Sequence, residues 1–339
     1  MATSVTPSQS PSVRPGNDPA LIAGQFQVLG PLESSLTGRS YLGRHVELDQ
    51  PVVIKLMHLS GSASVRTRFE REARALARVS NQHVARLLAY GKTEDGRRYM
   101  VVEHVEGQTL RRSLTRWGRL PEQRVLRILE QVAHALESVH RAGLVHRNLK
   151  PESVLLGESR DGGDMVKLTN FGLVRDAWPA NDKLAEGATA TRAMTGTPRY
   201  WAPEQVLGDA TDARTDIYAF GVVAFEMLTG KNPFESTTAE GYAWQHVHQQ
   251  PLMTDRQGRA RLRPELELLI GRCLAKHPDE RFPSSTELRV ALRATREAML
   301  RRSHRATPLD EMKAAFRRPE VWVMGGVAFM SGLLGALLG

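Results

Sequence analysis

Short apolar segments separated by turn residues run through residues 25–105. QFQVLG, SYLGRHV, VVIKLM, VARLLAYG and YMVVEHV have this character, which predicts strands. RTRFEREARALARV instead spaces Phe69, Ala73, Leu76 and Val79 along one face of a helix. We therefore expect a β-rich region with one helix.

Residues 106–300 show mainly helical spacing. RVLRILEQVAHALESVHRAG predicts a long amphipathic helix ending at Gly143. DIYAFGVVAFEMLTG is apolar nearly all round, which predicts a helix at the centre of a lobe. ELELLIGRCLAKH and STELRVALRATREAML predict two more, and Cys273 in the first of them is expected to be a core residue.

The two ends of the chain differ from this globular pattern. Residues 1–24 are rich in Ser, Thr, Pro and Gly, which predicts a disordered tail without the apolar core of a signal peptide. Residues 321–339 carry no charge and, as a helix, would extend about 28 Å, enough to span a bilayer. A buried C-terminal helix is the alternative. The basic linker 301–320 favours a single-pass anchor in the cytoplasmic membrane, with the preceding domain in the cytoplasm.

Composition and charge agree with one large globular region. The chain has 339 residues, 41% hydrophobic and 24% charged, and its single cysteine excludes an intramolecular disulfide. The net charge of +9 is concentrated between Arg293 and Arg318, where anionic lipid is a better partner than nucleic acid. The small residues Ser331, Gly335 and Gly339 are spaced for close helix approach, which predicts a homodimer contact.

Several motifs follow one another in a characteristic order. Lys55 ends a strand and Glu72 lies in the next helix; HRNLKPESVLL, LTNFG, GTPRYWAPEQ, TDIYAFG and HPDERFPS come later. Over residues 26–295 this order resembles the bacterial Hanks-type serine/threonine protein kinases. The resemblance implies a two-lobed α+β protein kinase fold, with an N-lobe over 25–105 and a C-lobe over 106–300.

The resemblance also assigns roles to residues that bind nucleotide. Lys55 would hold phosphates and Glu72 would orient it, while Gly38 is the last glycine of the phosphate loop. Glu103 to Val105 would form the adenine-binding hinge, and Leu155 would form the pocket floor.

Other retained residues would maintain the fold or contact the substrate. Glu204 of the Ala-Pro-Glu motif is expected to pair with Arg281, and Asp216 to accept backbone hydrogen bonds from the catalytic loop. Lys150 and Thr197 are similar to residues near the substrate hydroxyl in serine/threonine kinases, which argues against tyrosine kinase ancestry.

The departures from the family pattern fall on the chemistry. Asn148 replaces the aspartate base, and an amide cannot accept the substrate proton at physiological pH. Ser153 and Asn170 replace the asparagine and aspartate that hold magnesium, a cation that prefers anionic oxygens. We expect magnesium not to bind in the usual way.

The nucleotide pocket is altered as well. Glu33 and Ser35 replace two phosphate-loop glycines, Ser40 replaces the valine over the adenine, and Val53 replaces a small alanine. ATP binding is therefore expected to be weak or absent.

The segment between Asn170 and Glu204 carries Thr189, Thr191 and Thr195. A flexible polar loop is one interpretation. Phosphorylation by an active kinase, with Arg147 docking the phosphate, is the other.

These patterns together predict a membrane-tethered pseudokinase that acts as scaffold or regulator in phosphorylation signalling and binds an active kinase or effector. The alternatives are a weakly active or atypical serine/threonine kinase using ATP, and an ATP-binding switch without phosphoryl transfer.

Overall fold

The computed structural model describes residues 20–35, 37–59, 62–159, 161–171, 175–176, 198–253 and 262–305; for residues 175–176 and 303–305 it describes the backbone alone. The chain divides into two units, Met1–Ala291 and Leu292–Gly339. The N-lobe and the C-lobe as far as Ala291 lie in the first unit.

The N-lobe is built on a six-stranded sheet in the order β1-β2-β3-β4-β6-β5, in which all neighbouring strands are antiparallel. Its strands are β1 (Leu21–Ile22), β2 (Phe26–Ser34), β3 (Gly38–His45), β4 (Gln50–Met57), β5 (Leu87–Lys92) and β6 (Arg98–Glu103). One face of β4 buries Val52, Ile54 and Leu56 in the sheet core, so the period of two turns Lys55 to the other face.

One helix, α1 (Ala63–Arg78), completes the N-lobe, as predicted. The Ser62 hydroxyl accepts the Val65 amide at its start, and Phe69, Ala73 and Leu76 are buried at helical spacing.

The C-lobe is mainly helical. Its helices are α2 (Leu110–Trp117), α3 (Glu122–Arg141), α4 (Pro203–Leu207), α5 (Ala213–Thr229), α6 (Ala239–His248), α7 (Pro264–Cys273) and α8 (Ser285–Arg305), which crosses the boundary between the units. The apolar run predicted to be central is α5, buried from Thr215 to Leu228. The long amphipathic helix is α3, and Gly143, just after it, has φ +70°.

The C-lobe also contains two small β-sheets. The strands β7 (Gly107–Thr109), β9 (Val154–Glu158) and β10 (Asp164–Leu168) form one sheet, and β8 (Leu144–Val145) pairs with β11 (Arg175–Asp176). The sequence patterns did not predict these short strands or α2, α4 and α6. The strands and α4 have at most five residues, too few to show a period, and α6 buries only Ala243 and His246, so its apolar spacing is weak.

Among the described residues, no helix is both long and apolar enough to cross a bilayer. The predicted anchor at 321–339, most of the linker 301–320 and residues 1–19 of the predicted tail lie outside the described ranges. The tail was predicted to extend to residue 24, but Leu21–Ile22 form β1, because Ile22 is buried in the sheet core.

Candidate nucleotide and catalytic site

A lysine and a glutamate meet between β4 and α1. Lys55 Nζ donates to Glu72 Oε1 over 2.7 Å, and the Glu72 side chain is only 6% exposed. Lys55 reaches this partner because it lies on the β4 face opposite to Ile54 and Leu56. The structure therefore brings together the predicted phosphate-binding lysine and the residue predicted to orient it.

The turn between β2 and β3 stands where the phosphate loop is expected, and it closes on itself. The Ser35 amide donates to the Gly38 carbonyl over 2.8 Å, and the Thr37 amide donates to Ser35 Oγ over 3.3 Å. His58 Nε2 donates to the Ser35 carbonyl over 2.9 Å. Because these two amides already have partners, they do not fit a phosphate cradle. Glu33, nearby on β2, adds an exposed negative charge.

The retained glycine of this turn has a packing role. A Cβ atom at Gly38 would lie 2.2 Å from the Leu56 carbonyl oxygen of the neighbouring strand. Any larger residue would push β3 away from β4, so close strand contact by itself accounts for glycine at position 38.

The residues predicted around adenine occupy half-buried positions. Val53 lies on β4 and Leu155 on β9, while Glu103 ends β6 and Val105 follows it. The Glu103 carboxylate accepts from Lys167 Nζ over 2.6 Å. The side chain of the hinge glutamate is thus committed to an ion pair within the protein.

The catalytic-loop backbone is held by Asp216. Its carboxylate accepts the amides of His146 over 2.8 Å and Arg147 over 2.7 Å, together with His140 Nε2 over 2.7 Å. Burial opposes ionisation of Asp216, but the hydrogen bond from His140 lowers its pKa below the ordinary value. These hydrogen bonds anchor the loop. Within it, Arg147 has a φ of +61°, in the left-handed region.

The loop presents no base at position 148, where the family has its catalytic aspartate. Asn148 is half-buried, and its backbone N–H donates to His146 Nδ1 over 3.3 Å. His146 Nε2 then donates to the Thr169 carbonyl over 3.0 Å, which fixes a neutral imidazole. Burial lowers the pKa of His146, and the ring is fully covered, so it cannot take over as base.

Ser153 is committed to the loop itself. Its side chain is fully buried; its hydroxyl donates to the Lys150 carbonyl over 2.8 Å and accepts the Lys150 amide over 3.0 Å. This exchange closes the short 3-10 helix over Pro151–Ser153. The hydroxyl hydrogen and one oxygen lone pair are thus engaged, and the burial of the side chain closes access to the other lone pair.

Asn170 and Phe171 occupy two positions of the family's metal-binding motif, without its charge. Asn170 has a φ of +65°, a left-handed conformation that asparagine tolerates better than most residues. Phe171 is fully buried, its ring centroid 4.8 Å from that of His146 in an edge-to-face contact. The packing of the motif is therefore maintained by the phenyl ring.

The described residues do not fit a magnesium site of the family type. Ser153 and Asn170, at the two positions that hold magnesium in the family, carry no charge, and the Ser153 hydroxyl is already hydrogen-bonded. Within the described ranges, no group of three His, Cys, Asp or Glu residues could hold a metal ion.

A buried ion pair anchors the end of the activation segment. Arg281 donates to both oxygens of Glu204, over 2.8 and 2.9 Å, and is 1% exposed. Thr197, Thr189, Thr191 and Thr195 lie outside the described residues.

Sequence reasoning missed a second charged cluster, centred on Arg111 of α2. Its guanidinium donates to Glu152 in the catalytic loop over 2.8 Å, to Glu226 of α5 over 2.9 Å and to the Tyr200 hydroxyl. Tyr200 donates to Glu226 over 2.6 Å, and burial, followed by the charge of Glu226, raises the tyrosine pKa. The sequence offered one signal of this cluster, the charged Glu226 within the apolar stretch of α5, because a buried carboxylate needs a partner.

The comparisons with known proteins agree with this geometry. A family model described as the protein kinase domain matches residues 29–290. This chain belongs to the protein kinase family. Its β-sheet N-lobe and helical C-lobe form the two-lobed kinase fold.

Bacterial serine/threonine-protein kinases are similar to it. The chain is 37% identical over 278 residues to pkn3 of Myxococcus xanthus, across 80% of this chain and 50% of that protein. It is 36% identical over 290 residues to pkn2 of the same organism, across 83% of this chain and 34% of that protein. It is 36% identical over 287 residues to PknL of Mycobacterium tuberculosis, across 83% of this chain and 68% of that protein. The chain spans about half of pkn3 and a third of pkn2.

Proposed function

We propose that this kinase-family protein is a pseudokinase, a membrane-tethered scaffold or regulator that binds an active kinase or effector in phosphorylation signalling. The observation that carries the proposal is the capture of the Ser153 hydroxyl by the Lys150 backbone. It removes a metal ligand in a loop whose base position is already an amide, Asn148.

The fold-maintaining contacts support a binding role. The Glu204–Arg281 pair, the Asp216 anchor and the buried Phe171 persist beside the altered chemistry. A surface that binds a partner requires these contacts, whereas phosphoryl transfer requires the charged groups that are missing.

Phosphoryl transfer from radiolabelled ATP tests the proposal. The full chain in mild detergent is incubated with magnesium or with manganese, beside a Lys55→Met variant. Exposed Lys92→Met is the matched control for the loss of a lysine. We expect equal background in all three proteins. Incorporation by the native protein and Lys92→Met that disappears in Lys55→Met would contradict the pseudokinase proposal.

Nucleotide binding without transfer is a second candidate, favoured by the Lys55–Glu72 contact of 2.7 Å. The committed amides of the β2–β3 turn oppose it. A melting curve with ATP, with and without magnesium, separates the two. A rise in Tm in the native protein that is absent in Lys55→Met would establish the switch.

The tether and the location of the domain are part of the proposal. They are supported by the uncharged segment 321–339 and the arginines before it. After alkaline extraction of native membranes, the protein should remain in the pellet. Release into the supernatant would contradict the anchor.

A further inference from the structure

An exposed tryptophan ends α2, and exposed cationic residues lie in and near this helix. Arg112, Arg116 and Arg119 lie in or just after this helix, Lys231 follows α5, and all four are exposed. Trp117 is 58% exposed, and the Arg116 guanidinium lies 4.8 Å from its ring centroid. These five residues are called the α2 patch below.

Helix geometry and a close backbone contact bring the patch together. Arg112 and Arg116 are four residues apart and share one helix face. A Cβ atom at Gly230, the residue before Lys231, would lie 3.2 Å from the Gly118 carbonyl carbon and 3.5 Å from the Arg119 amide nitrogen. The ends of α2 and α5 are therefore in contact.

Local structure accounts for only part of this positive charge. Among the described residues, none of the patch cations forms an ion pair. Arg116 and Lys231 complement the negative ends of their helices, but Arg112 lies in the first turn of α2, where the helix dipole disfavours a cation. Its neighbour Arg111, in contrast, is fully used by Glu152 and Glu226.

We propose that the α2 patch binds a short acidic segment of a partner protein. Guanidinium groups pair with carboxylates in bidentate geometry, and arginine and tryptophan are enriched at the centres of protein interfaces. The eight residues of α2 extend about 12 Å, the length of roughly four extended residues. The segment therefore carries a few Asp or Glu residues and one apolar side chain against Trp117. This inference rests on the proposed scaffold role, since it names the chemistry of the partner.

Fluorescence anisotropy on the full chain in detergent micelles tests this surface. The probe is a short fluorescent peptide in which Asp and Glu flank a central leucine. Arg112→Glu with Arg116→Glu reverses the patch. Arg66→Glu with Lys92→Glu, at exposed N-lobe positions, makes the same change in net charge. Trp117→Ala tests the apolar contact separately.

We expect the patch reversal to weaken peptide binding about tenfold, while the N-lobe reversal changes it less than about twofold. Trp117→Ala should also weaken binding, and added salt should weaken it further. Equal losses in both reversals, or no binding to the native chain, would overturn the proposal. Tighter binding of single-stranded DNA or of phosphatidylserine in the micelles would assign the patch to those ligands instead. Because no ATP is present, catalytic activity found in the other assay would reject the pseudokinase proposal without changing this result.

Discussion

Replacing Arg281 by methionine should destabilise the C-lobe strongly. The guanidinium is buried and donates to both oxygens of Glu204 and to the carbonyls of Ala275 and Lys276. Methionine fills much of the volume but offers no donor. The Glu204 carboxylate would keep the Thr215 hydroxyl, 2.8 Å away, as its hydrogen-bond donor.

The expected loss is about 3–5 kcal/mol, the range for breaking a buried ion pair on one side, because the remaining carboxylate stays desolvated without its counter-charge. For a domain of this size, that loss lowers Tm by on the order of 10 °C. Replacing both partners, Arg281→Met with Glu204→Leu, should recover part of the loss because no buried charge then remains unpaired.

Tryptophan fluorescence during thermal unfolding measures this, with Arg214→Met as the matched control. Arg214 pairs with Asp212 and Asp279, whose side chains are 43% and 92% exposed, so its loss should cost no more than about 1 kcal/mol. If Arg281→Met and Arg214→Met lowered Tm equally, or if the double replacement were worse than Arg281→Met, the reasoning on buried charge would be refuted.

Three further predictions concern other contacts. Gly38→Ala should destabilise the N-lobe by about 1–3 kcal/mol, because its Cβ would meet the Leu56 carbonyl; chemical denaturation measures this, and an unchanged midpoint would contradict it. Burial lowers the pKa of His246 to about 3, so between pH 6.5 and 5 this histidine binds a proton in the unfolded protein but not in the folded protein. The free energy of unfolding should therefore fall by about 2 kcal/mol over this range. His246→Gln should reduce this dependence of stability on pH, and an unchanged dependence would show that His246 is not its source. Arg111→Met should cost about 1–3 kcal/mol in thermal unfolding because Glu226, whose side chain is 4% exposed, loses its nearer cation and keeps only Arg199, 3.8 Å away; an unchanged Tm would show that Arg199 and Tyr200 are sufficient.

The order of motifs and the local periods could be read from the chain directly. A short apolar segment between turn residues identified β4, the strand that carries Lys55. Helical spacing identified α1, and a run that is apolar nearly all round identified α5. The substitutions Asn148 and Asn170 were equally visible, since the family's charged groups fall at defined places in linear motifs. Period and motif are properties of neighbouring residues, so no tertiary information was required.

Tertiary structure decided which groups remain available for chemistry. The sequence showed that Ser153 is short; only the folded loop shows its hydroxyl bound to the Lys150 backbone. Arg111 contacts Glu152 and Glu226, which are 41 and 115 residues away in sequence, so no local pattern could indicate the cluster. Hydrogen bonds form between groups that folding brings within about 3 Å, and that proximity depends on the packing of whole elements rather than on the spacing of residues along the chain.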